Sequence, residues 1–197
     1  MTVETQADSE LWSSARAGSE DALGVLFDRH HGRVYSRALW LLGNVHDAQD
    51  ATAAVFFELW HKRGHVREVD GSVLPWLLVT TSRVCRNISR GTRRYRALLQ
   101  RLPRGDSATS AEGAAIAAQD VLDAIDPEVA NALRRLPPQT YSLLILTALE
   151  GYPVAQAAEA VGISQVAAKT RLSRARHHVR AVLLEAQGST AEKEYRQ

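Results

Sequence analysis

Apolar residues return at the three- and four-residue spacing of a helix face along almost the whole chain, and this restricts it to an all-α fold. Ser19 is placed to cap a helix carrying Leu23, Leu26, Phe27, Val34, Tyr35, Ala38 and Leu42 on one face, with Gly43 as its stop. Asn44, with Asp47 three residues on, opens a second helix whose apolar positions are Val45, Ala48, Thr52, Val55, Phe56, Leu59 and Trp60, stopping near Gly64. After a polar loop at 63–71, Ser72 begins a long helix with Leu74, Leu77, Leu78, Thr81, Val84, Cys85 and Ile88 inward and most arginines outward. Three such helices on short loops predict a compact bundle. Aromatic residues are only 6% of the chain and β-branched residues do not cluster, which also favours helices over sheets.

Residues 104–118, RGDSATSAEGAAIAA, are small and polar and predict a flexible linker. A second helical module follows. Leu136-Pro137-Pro138 marks a break before a helix at 139–149. A short helix runs from Tyr152-Pro153 to Val161, Gly162-Ile163 turns, and Ser164 caps a last helix to about residue 185.

Net charge is only +2, but it is unevenly spread. Residues 71–105 hold eight arginines and no acid, and residues 106–133 hold six acids and no Lys or Arg. Lys169, Arg171, Arg174, Arg176 and Arg180 form a second basic block. Two basic modules around an acidic connector describe a chain that grips a polyanion in two places. A single cysteine, Cys85, excludes an internal disulfide and a Cys-rich zinc site. No signal-like or spanning apolar run is present, so a cytoplasmic protein with no membrane insertion is expected. The pairs His30-His31 and His177-His178 point about 100° apart on a helix and are expected on the surface, with no metal and no cofactor. Nucleotide-loop, zinc-protease and serine-hydrolase motifs are absent, so the chain is not expected to be an enzyme.

The segment VAQAAEAVGISQVAAKTRLS at 154–173 has the layout of a helix-turn-helix. Ala158 is small where two helices cross, Gly162 can take the positive φ of a tight turn, and Ala168 faces back into the first helix. The second helix projects Gln165, Ala167, Lys169, Thr170 and Arg171, with Arg174 and Arg176 beyond, behind its cap Ser164. Its N-terminal residues suit base edges in a major groove and its arginines suit phosphates.

The stretch LRRLPPQTYSLLILTALEGYPVAQAAEAVGISQVAAKTRLSRARHHVR resembles region 4 of the extracytoplasmic-function (ECF) group of RNA polymerase sigma factors. LFDRHHGRVYSRALWLLGNVHDAQDATAAVFFELW and LPWLLVTTSRVCRNISRGTRR resemble region 2 in order and spacing. The resemblance implies two small helical domains joined by a flexible linker: an N-terminal tail or short helix at 1–18, region 2 at 19–103, an acidic linker at 104–126, region 4 at 127–187, and a disordered tail at 188–197. It also implies a transcription initiation factor whose partners are core RNA polymerase and promoter DNA, with an anti-sigma protein as a further candidate. Ser164, Gln165, Ala167, Lys169, Thr170, Arg171, Arg174 and Arg176 then read the −35 element as duplex. Arg83, Arg86, Asn87, Arg90, Arg93 and Arg94 hold the −10 element as single strand, and the loop at 63–71 is the candidate pocket for an extruded base. Asp47, Gln49, Asp50, Phe56 and Trp60 take the position that binds the polymerase clamp.

Many relatives read D-A-E-D-L-V-Q-E-V-F where this chain reads D-A-Q-D-A-T-A-A-V-F, a loss of charge expected to weaken clamp binding. The acidic linker is expected to thread through a basic channel of polymerase. The alternatives are a sigma-like decoy for an anti-sigma protein and a stand-alone helix-turn-helix regulator; run-off transcription with core polymerase separates them.

Overall fold

A computed structural model of the chain describes residues 6–99 and 127–194. The described residues are helical apart from their connecting turns, and the chain divides into two compact units, Met1–Ile116 and Ala117–Gln197. The linker expected at 104–126 lies outside the described residues.

The first unit is built from α1 (Asp8–Arg16), α2 (Glu20–Leu42), α3 (Val45–His61) and α4 (Leu74–Leu99). The Ser19 side chain accepts from the Ala22 N–H at 3.2 Å and starts α2, and Gly43, at φ 66°, stops it. Asn44 Oδ1 accepts from the Asp47 N–H at 3.0 Å and starts α3 without a break in the chain path. α1 is part of the bundle: Trp12 is fully buried, and with Leu11 and Ala15 it packs among Leu26 and Val34 of α2, Leu59 of α3 and Leu77 of α4. The loop before α4 is tied down as well. Val66, Val69 and Val73 are buried, and Asp70-Gly71 make a two-residue turn with positive φ at both positions (55° and 67°). Val69 and Ser72 exchange backbone hydrogen bonds of 3.0 and 3.2 Å across it, the geometry Asp-Gly favours.

α4 starts at Leu74, two residues after the expected Ser72, whose hydroxyl accepts from the Leu74 N–H at 3.1 Å. Pro75 is tolerated in this first turn because no intrahelical donor is needed there. The buried Thr81 and Ser82 hydroxyls donate back to the carbonyls of Leu77 and Leu78, so the polar groups on the inner face are satisfied within the helix.

The second unit holds α5 (Pro127–Arg135), α6 (Pro138–Leu144), α7 (Val154–Val161) and α8 (Gln165–Glu194). α6 continues as a π-helical turn, Ile145–Leu149, in which the Glu150 N–H reaches the Ile145 carbonyl at 3.0 Å. The Thr147 hydroxyl donates to the Leu143 carbonyl at 2.7 Å, competing with the backbone ladder where the register widens. Gly151, at φ 75°, closes it. The core joins Tyr141, Leu143 and Leu146 to Ala157, Ala158 and Val161 of α7 and to Ala168, Leu172 and Ala175 of α8. α8 continues to Glu194, past the expected end near 185, so residues 188–194, expected in a disordered tail, extend the helix.

Candidate nucleic-acid interface

The turn between α7 and α8 is fixed by its backbone. Gly162 adopts φ 76°, its N–H meets the Glu159 carbonyl at 3.0 Å, and the Ile163 N–H meets the Ala158 carbonyl at 3.0 Å. This paired closure ends α7 and redirects the chain within two residues. The Ser164 hydroxyl accepts from the Ala167 N–H at 3.2 Å and opens α8. Ala158 and Ala168 are both buried, so their small side chains let the two helices approach.

Burial of Ala168, Leu172 and Ala175 sets the inner face of α8 and therefore its outer one. Gln165, Lys169, Thr170, Arg174 and Arg176 are exposed, as is Ser164, whose hydroxyl is engaged as the cap. Ala167 is half-buried. Arg171 is also half-buried, and its Nη1 donates to Gln139 Oε1 at 2.5 Å, so it is tethered to α6 rather than projected outward. Lys169, Arg176, His177 and Arg180 line one flank of a cleft of about 320 Å³ that reaches Val154 at the start of α7. Val166, which the sequence did not mark as a DNA contact, is 76% exposed on the same outer face.

On α4, Arg83, Asn87, Arg90 and Arg94 are exposed and follow one face at spacings of four, three and four residues. At 1.5 Å per residue this stripe covers about 16 Å, long enough for several phosphates of a single strand. Arg83 donates to the Thr80 hydroxyl at 3.0 Å, and Arg93 Nε to the Ser89 carbonyl at 3.3 Å; Arg86 is half-buried on the flank. Tyr95, 62% exposed, adds an aromatic surface near the stripe. At the edge of the loop, the Arg63 guanidinium lies 4.3 Å over the Trp60 ring.

The outer face of α3 carries Gln49 and Asp50, both exposed, with Asp47 half-buried. Phe56 is buried against Phe27, ring centroids 4.7 Å apart, and belongs to the core. Its neighbour Phe57 is 69% exposed, stacked on His61, and stands between the small Ala53 and Ala54 on the outer face. Phe56, named among the clamp-position residues, is thus turned inward, as its place in the apolar pattern of the helix leads one to expect. Trp60 is half-buried under Arg63.

Sequence reasoning also missed a polar hub beneath this unit. Asp8 accepts from Arg29 at 2.6 Å, from the Ser72 hydroxyl at 2.5 Å, and lies 2.7 Å from His30 Nε2. His30, expected on the surface, is 3% exposed. Burial lowers its pKa more than the neighbouring Asp8 carboxylate raises it. Burial raises the Asp8 pKa, but the hydrogen bonds from Ser72 and Arg29 and the His30 ring carry it below the ordinary carboxylate value. The Cys85 thiol is pushed up to about 12 by burial and is inert as a nucleophile.

Residues 26–95 match the family described as Sigma-70 region 2, and residues 127–179 match Sigma-70, region 4. The sigma factor CarQ of Myxococcus xanthus is 29% identical over 85% of this chain and 92% of its own length. The chain belongs to the ECF group of RNA polymerase sigma factors. Two longer sigma factors also match, the chain spanning 46% and 62% of their lengths. Among solved structures, CnrH in complex with the cytosolic domain of CnrY is similar at 26% identity and a TM-score of 0.58, covering 90% of this chain and 97% of that one. The sigma factor RpoE of Bartonella quintana, solved with the anti-sigma factor NepR, shares the fold at 20% identity and a TM-score of 0.50, covering 80% and 93%. An ECF sigma factor is a DNA-recognising initiation factor rather than an enzyme, and the α4 and α8 surfaces above each expose a run of basic residues. Among the described residues no helix is long and apolar enough to cross a membrane.

Proposed function

We propose that this sigma factor, which directs core RNA polymerase to promoters, divides the work between the outer faces of α8 and α4. α8 enters the major groove of the −35 duplex, with Gln165, Lys169 and Thr170 toward base edges and Arg174 and Arg176 on phosphates. The observation that carries this reading is the exposed basic face of α8, projected by the left-handed Gly162 turn from a buried alanine seam. The α4 stripe of Arg83, Asn87, Arg90 and Arg94 tracks the −10 strand once it is unpaired, an electrostatic grip. Gln49, Asp50 and Phe57 on α3 meet the polymerase clamp. The work takes place in the cytoplasm, where the polymerase is.

An anti-sigma protein is a second partner, supported by the likeness in fold to RpoE, which is solved with one. The test is run-off transcription with purified core polymerase on promoters located by mapping transcript starts after overexpression. Promoter-specific product that depends on both elements is the expected result. A chain that binds the −35 duplex equally well without polymerase and gives no product overturns it.

A further inference from the structure

Val166 is the most exposed large apolar side chain in the described residues, at 76%. It lies in the first turn of α8, between Gln165 and Ala167, the latter capped by Ser164. Packing does not account for it, because no part of the core is on that face, and helix propensity favours Ala or Lys there over a β-branched residue. Thr170, one turn on and also exposed, donates its hydroxyl to the Val166 carbonyl at 3.0 Å. That hydroxyl proton is therefore engaged within the helix, and what Thr170 adds beside Val166 includes a methyl group. Around this apolar spot the face is polar and basic, with Gln165, Lys169 and Arg174.

Resting on the proposal that α8 reads the −35 duplex, the geometry points to Val166, with Thr170 beside it, as the reader of a pyrimidine 5-methyl group in the major groove. In unmodified promoter DNA only thymine carries that group, so the −35 element holds a thymine whose methyl packs on Val166. β-branching holds the Val166 methyls in one preferred rotamer, so the contact is largely formed before binding.

The test uses holoenzyme assembled from the full chain and core polymerase, on the mapped promoter, with each −35 thymine replaced in turn by deoxyuridine, which deletes the methyl alone. With the wild-type chain, one position is expected to lose about fourfold in affinity, the worth of one buried methyl-sized group. In Val166→Ala that position becomes indifferent to the methyl, while sensitivity at other positions is unchanged; Val166→Ile retains it. Unchanged methyl sensitivity in Val166→Ala, or none in the wild-type chain while scrambling the −35 element still abolishes binding, overturns the assignment to Val166 alone. Binding that survives the scrambled −35 element overturns the reading of α8 itself, and this inference with it.

Discussion

Asp8 joins segments that are far apart in the chain: Arg29 and His30 on α2 and Ser72 before α4. Its carboxylate is nearly enclosed, with 12% side-chain exposure. Asp8→Ala removes the acceptor for all three groups and leaves His30 buried without its partner. The expected loss is about 2 kcal/mol in urea unfolding, in the range of hydrogen bonds to charged groups. The same hub sets a pH dependence. Both Asp8 and His30 have folded-state pKa values below their unfolded ones, so the unfolded chain binds more protons and stability rises with pH. Stability is therefore full above the unfolded histidine value and declines as pH falls from about 6.5. A second decline follows in the carboxylate range. Protonation is opposed locally as well, since His30 Nδ1 is buried without a hydrogen-bond partner and would become an orphan donor. A melting temperature that stayed flat between about pH 8 and pH 5 would remove the hub from this role. None of this is legible in the sequence, because the partners are 22 and 64 residues apart and their meeting depends on the completed bundle. The caps at Ser19, Asn44 and Ser164 are legible because each bonds a backbone N–H three residues away.

The adjacent Phe56 and Phe57 separate core from surface on one helix. Phe56→Ala opens a cavity beside Phe27 and is expected to cost about 3–5 kcal/mol. Phe57→Ala should leave stability within about 0.5 kcal/mol while weakening assembly with core polymerase, read by a competition assay against wild type. Equal assembly by the two chains would take Phe57 out of the clamp surface. The two faces differ by a 100° rotation, and the helical spacing of Ala48, Thr52, Val55 and Leu59 marks Phe56 as the ring that turns inward.

At the scale of elements, the turn before α8 decides where its reading face points. A Cβ at Gly162 meets nothing within 4 Å, so a substitution there acts through φ 76° alone. Gly162→Val is expected to cost about 1–2 kcal/mol, and Gly162→Asn less, since Asn tolerates the left-handed region. Both should weaken −35-dependent transcription in that order while leaving the first unit's unfolding unchanged. Matching effects of Asn and Val would mean that space rather than backbone conformation governs the turn. The turn was readable from its glycine and its flanking cap. The inclusion of α1 in the bundle was not, since Leu11, Trp12 and Ala15 span barely a turn and a helix that short has no strong period of its own. The π-helical turn at Ile145–Leu149 was hidden for a related reason: it depends on a side-chain hydroxyl taking a backbone acceptor inside an otherwise regular apolar pattern.

The whole molecule carries a net charge of only +2, yet its described basic residues are concentrated on α4 and α8. Neutralising a phosphate releases counterions, and the number neutralised sets how steeply affinity falls with salt. The two surfaces face different forms of DNA and should contribute different increments to that slope. Replacing Lys169 or Arg174 with Gln removes a duplex contact and is expected to lower the logarithmic salt slope by about 0.9. Replacing Arg90 or Arg94 with Gln removes a single-strand contact, lowering it by about 0.7, and only in the open complex. Promoter binding by holoenzyme, measured across a potassium chloride series on closed and pre-opened templates, tests both. If the α4 variants change the slope on closed duplex as much as on the opened template, α4 grips duplex, and the division of labour between the two units is wrong. If the α8 variants change it only after opening, the assignments are reversed. The slopes thus assign each basic surface to its strand form without needing the arrangement of the two units.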